Sequence, residues 1–131
     1  MTGLAGGSVD AASLANMLDS MRHEESYEEA RFGRDDAGLG VLHHGSVDPG
    51  GVTIWDGDSR AGVVDGAITN RGALSLETDE LFEAVLDRPD TVLPRIEGPF
   101  VLCAVDWSDK RFVLAQDKLG TRPCYYTTDG E

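Results

Sequence analysis

The sequence predicts an α+β fold in which antiparallel sheets are layered and flanked by helices. Two observations carry this prediction. Between residues 100 and 107, apolar side chains alternate onto both faces of one strand pattern, which indicates a strand that is buried on both sides. Two stretches with helical spacing, both before this strand, supply elements that can cover a sheet.

The first helix is expected directly after Asp10, which can cap it. Its apolar residues recur at helical spacing, at Leu14, Met17, Leu18 and Met21. A second helix is expected from about Asp79 to Leu86, capped by its own first residue or by Thr78 and stopped by Pro89. Residues 90–95 can add one more helical turn.

Short strands are expected at residues 39–43, 52–55 and 62–68, separated by two turn segments rich in aspartate and glycine. This spacing predicts an antiparallel meander. The charged stretch 23–36, which comes before these strands, is expected to be a surface loop or an irregular strand.

The strand at residues 100–107 is expected to turn at residues 108–110 into a strand at 111–115. A further turn, residues 117–123, should lead into a strand at 124–126. The C-terminal third of the chain therefore predicts consecutive antiparallel strands.

Composition limits the classes of function. The chain has 131 residues, 40% of them hydrophobic, which indicates a single domain over residues 1–131. With 24 acidic and 11 basic residues, its net charge of −13 disfavours nucleic acid and anionic membranes as partners. Dispersed acids with few lysines are typical of halophilic proteins.

Neither a membrane segment nor a leader is indicated by the sequence. No apolar run approaches the roughly 18 residues of a membrane span. The N-terminus lacks a basic region followed by an apolar segment. We therefore expect a cytoplasmic protein.

Three stretches together identify a family. The chain opens with Thr2 among glycines, and residues 65–70 read Asp-Gly-Ala-Ile-Thr-Asn. Residues 119–126 read Leu-Gly-Thr-Arg-Pro-Cys-Tyr-Tyr, and this third stretch is preceded by Glu-Gly-Pro-Phe at residues 97–100. In this order they resemble the class II glutamine amidotransferases, in particular the N-terminal glutaminase domain of asparagine synthetases.

The resemblance implies a four-layer α-β-β-α sandwich of antiparallel sheets, the fold of N-terminal nucleophile hydrolases. The family's domain continues past the Tyr-Tyr strand with another strand, and asparagine synthetases add an ATP-using domain. We therefore expect the chain to be a piece of a longer synthetase-like protein or a reduced stand-alone form.

The family hydrolyses glutamine to glutamate and ammonia, but its catalytic groups are changed here. The resemblance places Thr2 at the position of the nucleophilic cysteine, where the free α-amine would move protons if Met1 is removed. Asp65 stands in place of the oxyanion asparagine, next to Gly66, whose N–H is the second donor. A carboxylate only accepts hydrogen bonds, and losing one oxyanion donor typically costs about 3 kcal/mol of transition-state stabilisation.

The residues that would bind substrate are also altered. Asn70 matches the family's loop, and the acid that receives the substrate amine is expected at Asp79 or Glu77. The arginine that holds the glutamine α-carboxylate would fall near residues 43–46, where no arginine is found. The resemblance therefore implies that residues for substrate binding have been lost as well as residues for catalysis.

No metal or cofactor is expected. His43 and His44 are adjacent in a predicted strand and so point to opposite faces. Cys103 and Cys124 have no metal-ligand spacing with each other or with a histidine, which is typical of small buried apolar residues.

The leading hypothesis is therefore a glutaminase-like domain that has lost its activity and acts in binding or docking. Its expected partners are glutamine or another small amide, and a synthetase-like domain. One alternative is an amidohydrolase that uses Thr2 and its free α-amine on another amide. The other is a structural domain that assembles with itself as a homodimer.

Overall fold

Two antiparallel sheets and the helices that cover them form the part of the chain that the computed structural model describes, residues 11–34, 37–44, 51–122 and 124. The elements follow in the order α1 (Ala11–Met21), β1 (Glu28–Arg34), β2 (Ala37–His43), β3 (Val52–Asp56), β4 (Arg60–Gly66), α2 (Arg71–Leu74), α3 (Thr78–Asp87), α4 (Pro89–Val92), a 3₁₀ turn (Leu93–Arg95), β5 (Phe100–Asp106) and β6 (Arg111–Gln116). The fold is α+β and is compatible with the predicted sandwich.

The larger sheet has the strand order β3-β4-β5-β6, and each neighbouring pair is antiparallel. Every residue of β5 is buried, which confirms the strand predicted to be covered on both faces. The predicted hairpin between β5 and β6 is also present. Asp106 closes it, since one carboxylate oxygen accepts the N–H groups of Ser108 at 3.0 Å and Asp109 at 3.1 Å.

The smaller sheet pairs β1 with β2, from Glu28 opposite His43 to Arg34 opposite Ala37. The predicted meander is therefore wrong in placing the strand at residues 39–43 beside β3, and the charged stretch before it contains a regular strand. Its hydrophobic signal is small because only Ala30 and Phe32 pack inward, against the larger sheet. Arg31, which lies between them, faces the other side of the smaller sheet.

Three clusters of side chains hold these elements together. Residues of α3, centred on Phe82, pack on one face of the larger sheet. Leu39 and Val41 of β2 pack on its other face, against Val63 and Val105. Leu14, Leu18 and Leu42 join α1 to the outer face of the smaller sheet. The packing contacts thus run from α1 to the smaller sheet, the larger sheet and α3.

Helix α3 spans the predicted segment, but its cap lies one residue earlier than predicted. Glu77 is the N-cap, and Glu77 and Glu80 form a capping box in which the Glu77 N–H donates to Glu80 Oε2 at 2.9 Å. Pro89 then begins the separate short helix α4, and with the 3₁₀ turn this supplies the extra turn predicted for residues 90–95. None of the described helices is both long and apolar enough to cross a membrane.

Candidate functional site

The candidate site lies where β4 ends, at Asp65 and Gly66. In the sheet register Asp65 lies between Val52 of β3 and Val101 of β5. Its side chain points away from α3, because the preceding residue, Val64, packs in the α3 cluster and successive strand residues face opposite ways. Asp65 is only 8% exposed, so the carboxylate is almost buried.

Arg122 provides the counter-charge for Asp65. Its Nη1 atom lies 2.7 Å from Asp65 Oδ1, and the arginine side chain is 26% exposed. Hydrogen bonds between a guanidinium and a carboxylate are among the stronger ones in proteins, particularly when partly shielded from water. The position that the resemblance assigns to an oxyanion donor therefore holds a carboxylate that is paired with an arginine.

Gly66 is fixed by its conformation and by its hydrogen bond. Its φ of 112° lies in a region that favours glycine. A Cβ atom there would overlap the carbonyl oxygen of Pro99 and lie 2.8 Å from Arg122 Nε. The Gly66 N–H donates to the carbonyl of Gly51 at 2.9 Å, so this backbone donor is also engaged.

Asn70 ties the loop after β4 to the segment before β5. Its Nδ2 donates to the Arg95 carbonyl at 2.7 Å, and its Oδ1 accepts the Glu97 N–H at 3.0 Å. The Thr69 N–H donates to the Glu97 carbonyl at 2.8 Å. Both polar atoms of the Asn70 side-chain amide thus hold this loop against the segment at residues 95–97.

Arg122 reaches the site through a turn organised by Asp117. The buried carboxylate of Asp117 accepts the Leu119 N–H at 3.0 Å, the Thr121 N–H at 3.1 Å and the Thr121 hydroxyl at 2.6 Å. The hydroxyl of Thr121, followed by these backbone donors, lowers the pKa of Asp117. Neither Asp117 nor Arg122 was predicted as a site residue, although the Asp-x-x-Gly turn pattern was visible in the sequence.

Glu77 and Asp79 lie on the other side of the larger sheet. The Glu77 side chain caps α3, and Asp79 lies in the first turn of that helix, beside a groove that Trp55 also lines. Helix α3 packs on the face of the sheet that contains Val64, whereas Asp65 faces the opposite way. Within the described residues, no hydrogen bond or ion pair joins either acid to Asp65.

The other residues singled out in the sequence lie elsewhere in the fold or outside the described residues. Thr2, Tyr125 and Tyr126 lie outside the described residues. Cys103 is buried in β5, where burial raises the pKa of its thiol to about 12 and keeps it protonated. Among the residues that the structure describes, no three His, Cys, Asp or Glu side chains are grouped to hold a metal ion.

The site thus lies where the end of β4, the turn after β6 and the segment before β5 meet. At its centre are the Asp65–Arg122 ion pair and the Gly66 N–H, which is hydrogen-bonded to Gly51. This arrangement fixes loops and offers no free oxyanion donor at Asp65 or Gly66. Comparison with protein-family models, with curated proteins and with solved structures gives no match.

Proposed function

We propose that the chain is a class II glutamine amidotransferase-like domain that retains the architecture of the N-terminal nucleophile hydrolases and has lost the glutaminase reaction. Its role is then binding or docking. The order of packing contacts, from α1 through two sheets to α3, supports the architecture because it is the layer order that such a sandwich requires.

The stretches that carry the resemblance also meet in space, which supports the assignment. Gly66, from residues 65–70, lies against Pro99, from residues 97–100, and against Arg122, from residues 119–126. Asn70 and Glu97 are joined by a hydrogen bond of 3.0 Å. Segments with these three patterns would not be expected to converge if each were an unrelated turn.

One observation carries the loss of activity: both groups expected to stabilise an oxyanion are engaged within the fold. The Asp65 carboxylate is paired with Arg122, and the Gly66 N–H is bonded to the Gly51 carbonyl. Removing a single oxyanion donor typically lowers kcat by a factor of about 100 to 1,000. A threonine hydroxyl, as the nucleophile, would add to this loss.

Ammonia release from glutamine tests the proposal. The protein is purified with Met1 removed, as checked by intact mass, and is compared with the Thr2→Ala variant. We expect the two proteins to release ammonia at the same background rate. Release that depends on glutamine and is abolished by Thr2→Ala would contradict the proposal, and release from a different amide would support the threonine-dependent amidohydrolase.

A further inference from the structure

Strand β3 forms one edge of the larger sheet, and its outer backbone groups can be identified. The Gly66 N–H bonds to the Gly51 carbonyl at 2.9 Å, and the Gly57 N–H bonds to the Arg60 carbonyl at 2.8 Å. Because antiparallel residues alternate between bonded and non-bonded pairs, residues 51, 53, 55 and 57 bond toward β4. The N–H and C=O groups of Val52, Ile54 and Asp56 therefore point outward, and within the described residues no strand pairs with them.

A groove runs along this edge, between β3 and α3. Trp55 forms its wall on the strand side, with its indole stacked on Phe82 at a centroid distance of 5.7 Å and an angle of 6°. The helix side presents Asp79, Glu80, Glu83 and Asp87. A strand added at the edge would therefore place alternate side chains against an aromatic ring and a row of carboxylates.

The charge of this groove selects a cationic occupant. Two arginines partly neutralise its four acids. Arg88 lines the groove, and Arg60 bonds to Glu83 and lies 2.9 Å from Asp87. The carboxylates thus remain in excess. A lysine or arginine placed here would gain both from these charges and from the face of Trp55.

On the opposite face of the same edge, two of the three side chains of β3 are apolar, and the third is the exposed Asp56. Ile54 is 37% exposed there and shares this face with Val52, because both alternate with Trp55 along the strand. An incoming strand would place its other set of side chains on these two residues. Basic and apolar residues should therefore alternate in the segment that fits.

We propose that β3 and α3 form a docking groove for an extended basic segment of another protein, which adds as an antiparallel strand beside β3 with its lysines or arginines facing α3 and its apolar residues facing Ile54. Pairing with an edge strand supplies affinity through main-chain hydrogen bonds and specificity through alternate side chains. This inference rests on the docking role proposed above and names the chemistry of the partner.

A second copy of the chain is the less favourable occupant. Each copy carries a net charge of −13, so two copies repel one another, whereas a basic segment is attracted. The net charge of the whole molecule and the charge of the groove are both negative, so both favour a basic partner.

The test uses a fluorescent eight-residue peptide of alternating lysine and valine, with blocked ends, and measures its binding to the full chain by anisotropy. A peptide of the same composition, with four lysines followed by four valines, controls for attraction to the net charge. We expect the alternating peptide to bind at least about tenfold more tightly. Equal binding of the two peptides, or no binding, would overturn the proposal.

Proline substitutions locate the site. Ile54→Pro removes an outward N–H without breaking a bond to β4, so the sheet should be retained while the peptide loses at least about tenfold in affinity. Leu114→Pro is the matched control, because Leu114 is 38% exposed and its N–H points outward from β6, which is the other edge strand of this sheet among the described residues. Equal loss in both variants, or in neither, would count against the site, as would a wild-type dimer that Ile54→Pro dissociates.

A modified peptide keeps the test decisive if Ile54→Pro does not fold. In antiparallel pairing the valines lie opposite Ile54 and make the main-chain bonds, so N-methylation of the valines should abolish binding and N-methylation of the lysines should not. Equal binding of the two methylated peptides would contradict edge pairing. The glutamine assay is unaffected by these outcomes, so loss of this inference leaves the proposed absence of glutaminase activity to its own test.

Discussion

Gly66 connects the sheet to the candidate site through its backbone N–H and its lack of a side chain. The bond from its N–H to Gly51 keeps β3 and β4 paired at their ends, and the absence of a Cβ lets the segment containing Pro99 approach. Its positive φ ends β4 two residues before the predicted end at Ile68. Glycine at this position is therefore explained by the fold, without reference to a reaction.

The first prediction concerns Gly66→Ala. We expect it to lower the free energy of unfolding by about 2–4 kcal/mol, because the new Cβ would overlap a backbone carbonyl at an unfavourable φ. Urea unfolding measures this. Gly72→Ala is the control, since Gly72 lies in α2 with open space around its Cβ position, and it should change stability by less than about 1 kcal/mol. Equal effects of the two substitutions would contradict this explanation.

The contact between Asp65 and Arg122 shows what the sequence could not predict about single residues. The motif at residues 65–70 spans the end of β4 and the loop that follows it. The partner of Asp65 could not be predicted, because Arg122 is 57 positions away and reaches it only through the turn that Asp117 organises. A contact at such separation depends on tertiary structure, which local patterns do not encode.

At the scale of elements, α3 packs on the larger sheet at a point where β4 has no side chain. Phe82 lies directly over Gly62, where a Cβ would overlap its ring. The ring also stacks on Trp55 of β3, so one helical residue spans two strands. This close approach sets the distance between helix and sheet.

We predict that Gly62→Ala destabilises the protein by about 1–3 kcal/mol, because the buried ring of Phe82 has little room to move away. Gly40→Ala is the matched control in β2, where the neighbouring atoms are the methyl groups of Leu18 and Leu14 at the ends of flexible side chains. Its effect should be smaller. Thermal unfolding of the two variants checks the order, and a larger effect at Gly40 would contradict it.

Elements whose apolar residues recur at a clear helical or strand spacing were predicted well, whereas elements with few apolar residues were not. α1, α3, β5 and the β5–β6 hairpin lie where periodicity placed them, since each buries a continuous apolar face. β1 was predicted only as a loop or an irregular strand, because it contributes just Ala30 and Phe32 to the core. Its pairing with β2 arises from the packing of two sheets, which the pattern of one strand does not reveal.

At the scale of the whole molecule, ion pairs connect the layers. Arg60 of β4 bonds to Asp106 at 2.7 Å and also contacts Glu83 and Asp87 of α3. Burial alone would raise the pKa of Asp106, but hydrogen bonds from the Asp109 N–H and from Arg60 outweigh burial and lower it. Asp106 thus stabilises the hairpin and the contact with α3 in its charged form.

Stability should therefore fall in acid. A carboxyl whose pKa is lowered on folding contributes fully above its ordinary pKa of about 3.9, and this contribution is lost as the pH falls through the lowered value. Asp106 and Asp117 both behave this way. Urea unfolding of wild type and Asp106→Asn should show a difference near pH 7 that shrinks toward about pH 2. A difference independent of pH would contradict this role of Asp106.

The central claim is that the candidate oxyanion donors are engaged in the fold, and amide hydrogen exchange at Gly66, followed by NMR, tests it most directly. We predict that the Gly66 N–H exchanges at least about 100-fold more slowly than in an unfolded chain, because it is bonded to Gly51, and that added glutamine changes neither its rate nor its chemical shift. Rapid exchange, or a saturable shift on addition of glutamine, would show that this donor is free to stabilise an oxyanion and would contradict the account.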